Sequence, residues 1–166
     1  MYQIGDLVVY GSIGVCRVDG FSHPDGNDSK LFYCLSPLYQ PGVIHTPVES
    51  AKVPLRPVMT ADAADHLLSQ LSGIRVEIYK ERTIQLLAQK YQSVLQTGDP
   101  LQLLSLSLSV QQKRKQAEAQ NRRLGMVDER YGRQAERVLF GELAVALDMP
   151  IDEIPHLISE CLAKGV

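Results

Sequence analysis

Tryptophan is missing from all 166 residues, and phenylalanine and cysteine each occur only three times. The cysteines, Cys16, Cys34 and Cys161, are odd in number and irregularly spaced. With no CxxC pair and no His/Cys cluster, the pattern argues against a disulfide framework and a structural zinc site. No apolar run approaches the roughly 20 residues that a membrane span requires. The start at Met1 has no basic segment followed by an apolar one, so no signal peptide is read and a cytoplasmic location is expected.

Enzyme signatures are missing as well. His23, His45, His66 and His156 have no Asp, Ser or Cys at a telling distance. Gly11 and Gly14 lack the Lys-Ser/Thr of a P-loop and the βαβ setting of a dinucleotide site. The expectation is a non-enzymatic protein with neither cofactor nor metal. An enzyme is the competing class, because catalytic triads are assembled in space and not in sequence.

Charge is nearly balanced, with 17 Lys plus Arg against 19 Asp plus Glu, but it is unevenly spread. Residues 79–137 hold eleven basic and six acidic side chains, and residues 138–166 hold one and five. A basic middle points to an anionic partner, and equally to a solvated helical face.

The first 57 residues read as β. Residues 7–10 are β-branched and aromatic, turns fall at Gly5–Asp6 and over residues 11–14, and a second strand starts at Val15. The loop 22–29, SHPDGNDS, has hairpin chemistry. Asp25, Asn27 and Asp28 raise a calcium reading, but the loop lacks the Gly and Glu of an EF-hand, so a plain turn is favoured. Further strands are expected at 31–35, at 43–46 and at 52–55, the last closed by Pro54 and Pro57. Five strands in so short a segment suit a small SH3-like or Tudor-like barrel, with a marginal core that leans on the helices after it.

Residues 60–166 read as a bundle of about five helices. Thr60 caps the first, with Ala64, Leu67, Leu68 and Leu71 on one face and Gly73 at its end. The second is expected from about Tyr79, with Ile84, Leu87, Ala88, Tyr91, Val94 and Leu95 as its stripe. Gly98 suits the left-handed position after it, Asp99 caps the third helix and Pro100 opens it. Residues 101–110 alternate Leu and Ser like a strand, yet Leu101, Leu104 and Leu108 share a helical face, and the capped start favours helix. A fourth helix spans 126–147, and a fifth starts near Asp152 as cap, with Pro155 in its first turn. The fold class is α+β: a barrel at 1–57 followed by a helical domain at 58–166.

Gly5-Asp6-Leu7-Val8-Val9-Tyr10, then Gly14-Val15 after three residues, resembles the opening of the CarD/CdnL family of bacterial transcription regulators. Thr97-Gly98-Asp99, Asp128-Glu129-Arg130 and residues 135–147 (AERVLFGELAVAL) extend the resemblance over nearly the whole chain. It is closer to the Gram-positive anaerobe type than to the actinobacterial type, judging by the longer linker at 115–124. The resemblance implies a Tudor-like barrel that pairs through an edge strand with the β subunit of RNA polymerase. That strand matches residues 43–48 here, which makes Val43, Ile44, His45, Thr46 and Pro47 candidate polymerase contacts. On the residues alone, His45 reads as a surface histidine.

The resemblance also implies that the helical part contacts promoter DNA and modulates open-complex stability. The candidates are Arg82 and Lys90 on the second helix, Lys113, Arg114 and Lys115 ending the third, Arg122 and Arg123 at the following turn, and Arg130 on the fourth. They offer phosphate contacts without sequence readout. Actinobacterial-type members insert a tryptophan wedge at the DNA fork. Here Ile84 stands in that place, and the apolar stripe assigns Ile84 to the core, so weaker stabilisation of the open complex is expected; Tyr79 is the candidate wedge only if that stabilisation is undiminished. A family basic residue on the fourth helix is replaced by Glu129, and Gly11 stands where Pro is common. The alternative is a protein-binding adaptor of the same fold without significant DNA contact. A barrel of the transcription-repair coupling factor type is a third option, disfavoured by the lack of an accompanying helicase.

Overall fold

Alternating β-branched residues and two tight turns produce the first third of the molecule. In the computed structural model, which describes residues 1–24, 26, 30–49 and 51–164, five strands form one antiparallel sheet. They are β1 (Leu7–Tyr10), β2 (Gly14–Ser22), β3 (Phe32–Pro37), β4 (Ile44–Pro47) and β5 (Leu55–Pro57), in the order β4-β3-β2-β1-β5. Among the described residues β4 and β5 are edges and do not pair, so the barrel expected from the strand count is here an open sheet. The last strand begins at Leu55 and not at residue 52, because Pro54 has no N–H for the ladder. Asp25, Asn27 and Asp28, on which the turn and calcium readings rest, lie outside the described residues.

Gly11 adopts φ +45°, a conformation closed to proline, and a side chain there would meet Val53 Cγ1 at 2.6 Å. The resembling family's Pro could therefore not occupy this turn as it is built here.

Alternation splits the sheet between two cores. Val8, Cys16, Val18, Tyr33 and Leu35 pack together on one face with Tyr10, Phe21 and Ile44 around them. Val9 and Val15 point the other way and join the core of the helices. Gly14, at φ +105°, lets the β1–β2 turn approach the helix backbone closely, its Cβ position lying 3.5 Å from Val138 Cα.

Five helices complete the chain: α1 (Ala61–Ser69), α2 (Ile84–Thr97), α3 (Pro100–Ala119), α4 (Met126–Ala146) and α5 (Ile154–Ala163), with short 3-10 turns at Gln70–Gly73 and Ile151–Glu153. Thr60 Oγ1 accepts the Ala63 N–H at 3.1 Å, as its position before the apolar run demands. Gly98, at φ +64°, ends α2, and Asp99 with Pro100 starts α3.

Three expectations are corrected. α2 begins at Ile84, five residues later than Tyr79, because Thr83 caps it through the Leu86 N–H. Lys80 and Arg82 therefore precede the helix, and the Tyr79 N–H is tied to Ser109 Oγ at 3.1 Å. Asp152 lies in the 3-10 turn and caps nothing by its side chain. Half of the supposed linker at 115–124 is helix, since α3 runs to Ala119 and Lys113–Lys115 lie within it.

The Leu/Ser alternation of α3 has a simple cause. Leu103, Leu104, Leu106, Ser107, Leu108, Ser109 and Val110 are all buried, so this helix has no solvent face along that stretch. The serines fit because they find partners: Ser109 receives the Tyr79 N–H, and Ser107 Oγ donates to Glu136 at 3.2 Å. Leu101 of the expected face is exposed instead.

Candidate functional site

β4 pairs with β3 on one side only, in the register Phe32↔Pro47, Tyr33↔Thr46, Cys34↔His45 and Leu35↔Ile44. The Val48 N–H donates to the Leu31 carbonyl at 3.0 Å. Antiparallel ladders alternate inward and outward groups, so the main-chain groups of Thr46 and Ile44 also turn to β3. Those of Val43 and His45, with the Pro47 carbonyl, turn to the open edge. Pro47 offers no donor, which limits an incoming strand to the stretch around His45.

The five sequence-predicted residues of this edge therefore divide. His45 is exposed and Val43 is 66% exposed, whereas the Thr46 side chain is buried and serves the fold. His45 Nδ1 lies 3.4 Å from Cys34 Sγ across the strand pair, and Cys34 Sγ reaches Ser22 Oγ at 3.4 Å.

The opposite edge is closed by charge. Arg56 of β5 makes two 2.6 Å bonds to the carboxylate of Glu142 on α4, and one of its two terminal nitrogens also reaches the Gly98 carbonyl at 3.2 Å. Glu142 is fully buried and also accepts the Met59 N–H at 2.9 Å. No motif singles out Arg56 or Glu142, since their partnership spans 86 residues.

The basic candidates do not form one surface. Lys113 is internal: its Nζ bonds Asp128 at 2.9 Å and Tyr91 Oη at 3.3 Å, with its side chain only 14% exposed. Tyr91 Oη donates to the same Asp128 oxygen at 2.5 Å, and burial first, then Asp128, pushes the phenol well above its ordinary range. Arg114 pairs with Glu129 at 3.1 Å, and Arg133 holds the other Glu129 oxygen at 2.8 Å. The Arg114 hydrogen bond, then that of Arg133, holds the Glu129 carboxyl below its usual range against some desolvation. Lys90 sits 3.8 Å from Glu81 and over the Tyr79 ring. Arg130 lies over the Tyr131 ring.

Arg82, Lys115, Arg122 and Arg123 are exposed and form no ion pair among the described residues. The bonds Tyr91–Asp128 and Gln92–Tyr131 set α2 and α4 side by side in the same sense. Lys113–Asp128 and Ser107–Glu136 set α3 against them. The start of α2, the end of α3 and the turn 120–125 thus gather at one end of the bundle, carrying these four cations.

Ile84 overturns its expected core position. It is 71% exposed at the first residue of α2, beside exposed Leu86, while Tyr79, the other candidate wedge, is buried against Tyr91. The signal in the sequence is Thr83: as the cap it puts Ile84 in the helix's open first turn. Among the described residues no group of three His, Cys, Asp or Glu side chains is placed to hold a metal, and no helix is long and apolar enough to cross a membrane.

Residues 2–59 match the family model of the CarD-like/TRCF RID domain, the RNA polymerase-interacting domain of CarD-like proteins. The matched segment holds all five strands and both of the sheet's edges. No curated protein matches the chain.

Proposed function

We propose that this protein is a non-enzymatic, cytoplasmic transcription regulator of bacterial CarD/CdnL type. Its Tudor-like sheet domain, residues 1–57, docks on the β subunit of RNA polymerase by accepting a strand along β4. Its helical domain, residues 58–166, contacts promoter DNA with the bundle end bearing Arg82, Lys115, Arg122 and Arg123, and so modulates open-complex stability. The observation that carries this reading is an unpaired β4 edge inside the segment that matches the RID family.

The test is binding of the full chain to the isolated β-subunit lobe. His45→Pro removes an outward N–H and leaves every main-chain bond to β3 intact, and His45→Glu alters the side chain alone; both lose the His45–Cys34 contact. His45→Pro should weaken binding by about tenfold or more, the scale of a lost interfacial hydrogen bond plus strand strain. Unchanged affinity in both variants would remove this edge from the interface.

For DNA, Lys115, Arg122 and Arg123 are the informative set, because Lys113 and Arg114 are already paired with Asp128 and Glu129. Their joint neutralisation should reduce the salt slope of duplex binding by about 2 to 3, near 0.9 per lost phosphate contact. Exposed Ile84 supplies an apolar group at that end, but without the flat π-face of tryptophan. The open complex should therefore be shorter-lived than with a Trp-bearing relative, and Ile84→Trp should lengthen it.

A second reading, a protein-binding adaptor without DNA contact, draws on the internal pairing of Lys90, Lys113 and Arg114. A flat salt slope in the wild-type protein would favour it.

A further inference from the structure

Between the β5 edge and the α2–α4 pair lies a cleft of about 670 Å³, within the range that accommodates small molecules. Lys52 and Arg56 line it from the sheet side, and Gln92, Gln96, Arg130 and Gln134 from the bundle side. Among the described residues no carboxylate lines it. Arg56 is matched by Glu142 beneath it, but Lys52 and Arg130 form no ion pair among the described residues. One unmatched cation thus comes from each wall, with amide donors between. Arg130 is steadied over the Tyr131 ring at 5.4 Å, and Gln92 is held by donating to Tyr131 Oη at 2.8 Å.

Such a wall is rich in donors and carries uncompensated positive charge. A single carboxylate would use two of these groups. A phosphoryl group, with several acceptor oxygens and up to two charges, can engage both cations and the amides together. We propose that this cleft binds a small phosphate-bearing molecule, which bridges the sheet to the bundle by neutralising Lys52 and Arg130 at once. The site is separate from the β4 edge and from the basic end of the bundle, so it stands independently of both.

The experiment is calorimetric titration of the full chain, without polymerase or DNA, using ADP and inorganic pyrophosphate as probes. Saturable binding of at least one probe is expected. Lys52→Ala and Arg130→Ala should each weaken it by about tenfold, the scale of one charge-assisted contact, while Lys52→Arg and Arg130→Lys retain most of it. Both side chains are exposed, so the melting temperature should not move. ADP binding more tightly than pyrophosphate would identify a nucleotide site; equal binding would identify a diphosphate site. Lack of saturation by either probe up to about 10 mM, or alanine variants that bind like the wild type, would overturn the proposal. Competitive displacement of ADP by a short duplex would also overturn it, by giving the cleft to nucleic acid.

Discussion

The sheet has two edges, and they are handled in opposite ways. β5 is three residues long and is bound down by a buried carboxylate from α4. β4 is four residues long, turns the main-chain groups of His45 outward, and is blunted only by Pro47. An edge that must stay attached is fixed with charge in a water-poor place, where a pair is strong if every lone pair is satisfied. The β4 edge is left short and exposed, the form with which an incoming strand would pair on the proposed reading.

The largest effect should come from breaking the closed edge. Glu142→Ala leaves the Arg56 guanidinium and the Met59 N–H without their acceptor, and loss of one partner of a buried pair costs about 3–5 kcal/mol. Urea denaturation followed separately by sheet and helix probes should show a lower midpoint with both probes still coincident, because Val9 and Val15 share the helical core. Two separated transitions would mean that the ion pair alone couples the halves.

A pair of proline variants sharpens the contrast along β4. Thr46→Pro deletes an N–H that faces β3 and removes a buried side chain, and should cost about 3 kcal/mol. His45→Pro, one residue away, should cost less than about 1 kcal/mol, because its N–H faces outward. Equal losses in thermal unfolding would contradict the deduced register.

The sheet's own core offers the next effect. Burial pushes the Cys16 thiol up to about 11. Its folded value lies above its unfolded one, so the associated stability is complete below about pH 9 and fades as pH rises through about 11. The loss by then is about 2–3 kcal/mol for a displacement near two pH units. Cys16→Ala should flatten this alkaline decline when unfolding free energy is measured from about pH 8 to about pH 11.

The smallest effect belongs to the sheet's outer face, where Arg17 pairs with Asp19 at 2.8 Å in solvent. Arg17→Ala should leave the denaturation midpoint nearly unchanged, as loss of an exposed pair does. A larger change in the denaturation midpoint would show that Asp19, held low by its bond from Ser36 and then by Arg17, organises β2 and β3.

The first four strands, the Thr60 cap and the Gly98–Asp99–Pro100 junction are legible in the sequence because each is decided within a few residues. The start of α2 is not, because apolar spacing continues back through Tyr79, whereas Thr83, a local cap, decides it. The middle of α3 is readable only from its ends: a stretch buried all round, residues 103–110, has no stripe. Net charge locates a basic region but cannot see that Lys113 and Arg114 are claimed by Asp128 and Glu129, fifteen residues on. The candidate docking strand can be named from its resemblance, but which of its groups face outward depends on pairing with β3. The cleft is invisible in the sequence, since Lys52 and Arg130 meet only through the sheet's contact with α4.

The Arg56–Glu142 bond also bears on how such proteins are assembled by recombination. The family match stops at residue 59, which suggests a module that could be cut there and joined to another protein. A fragment ending there would leave Arg56 and Met59 without Glu142 and bring Val9 and Val15 into water. To travel, the sheet must find in its new host a helix offering one carboxylate and two small apolar hollows at the same spacing. Grafts chosen for that feature should fold, and grafts chosen by sequence boundary alone should aggregate.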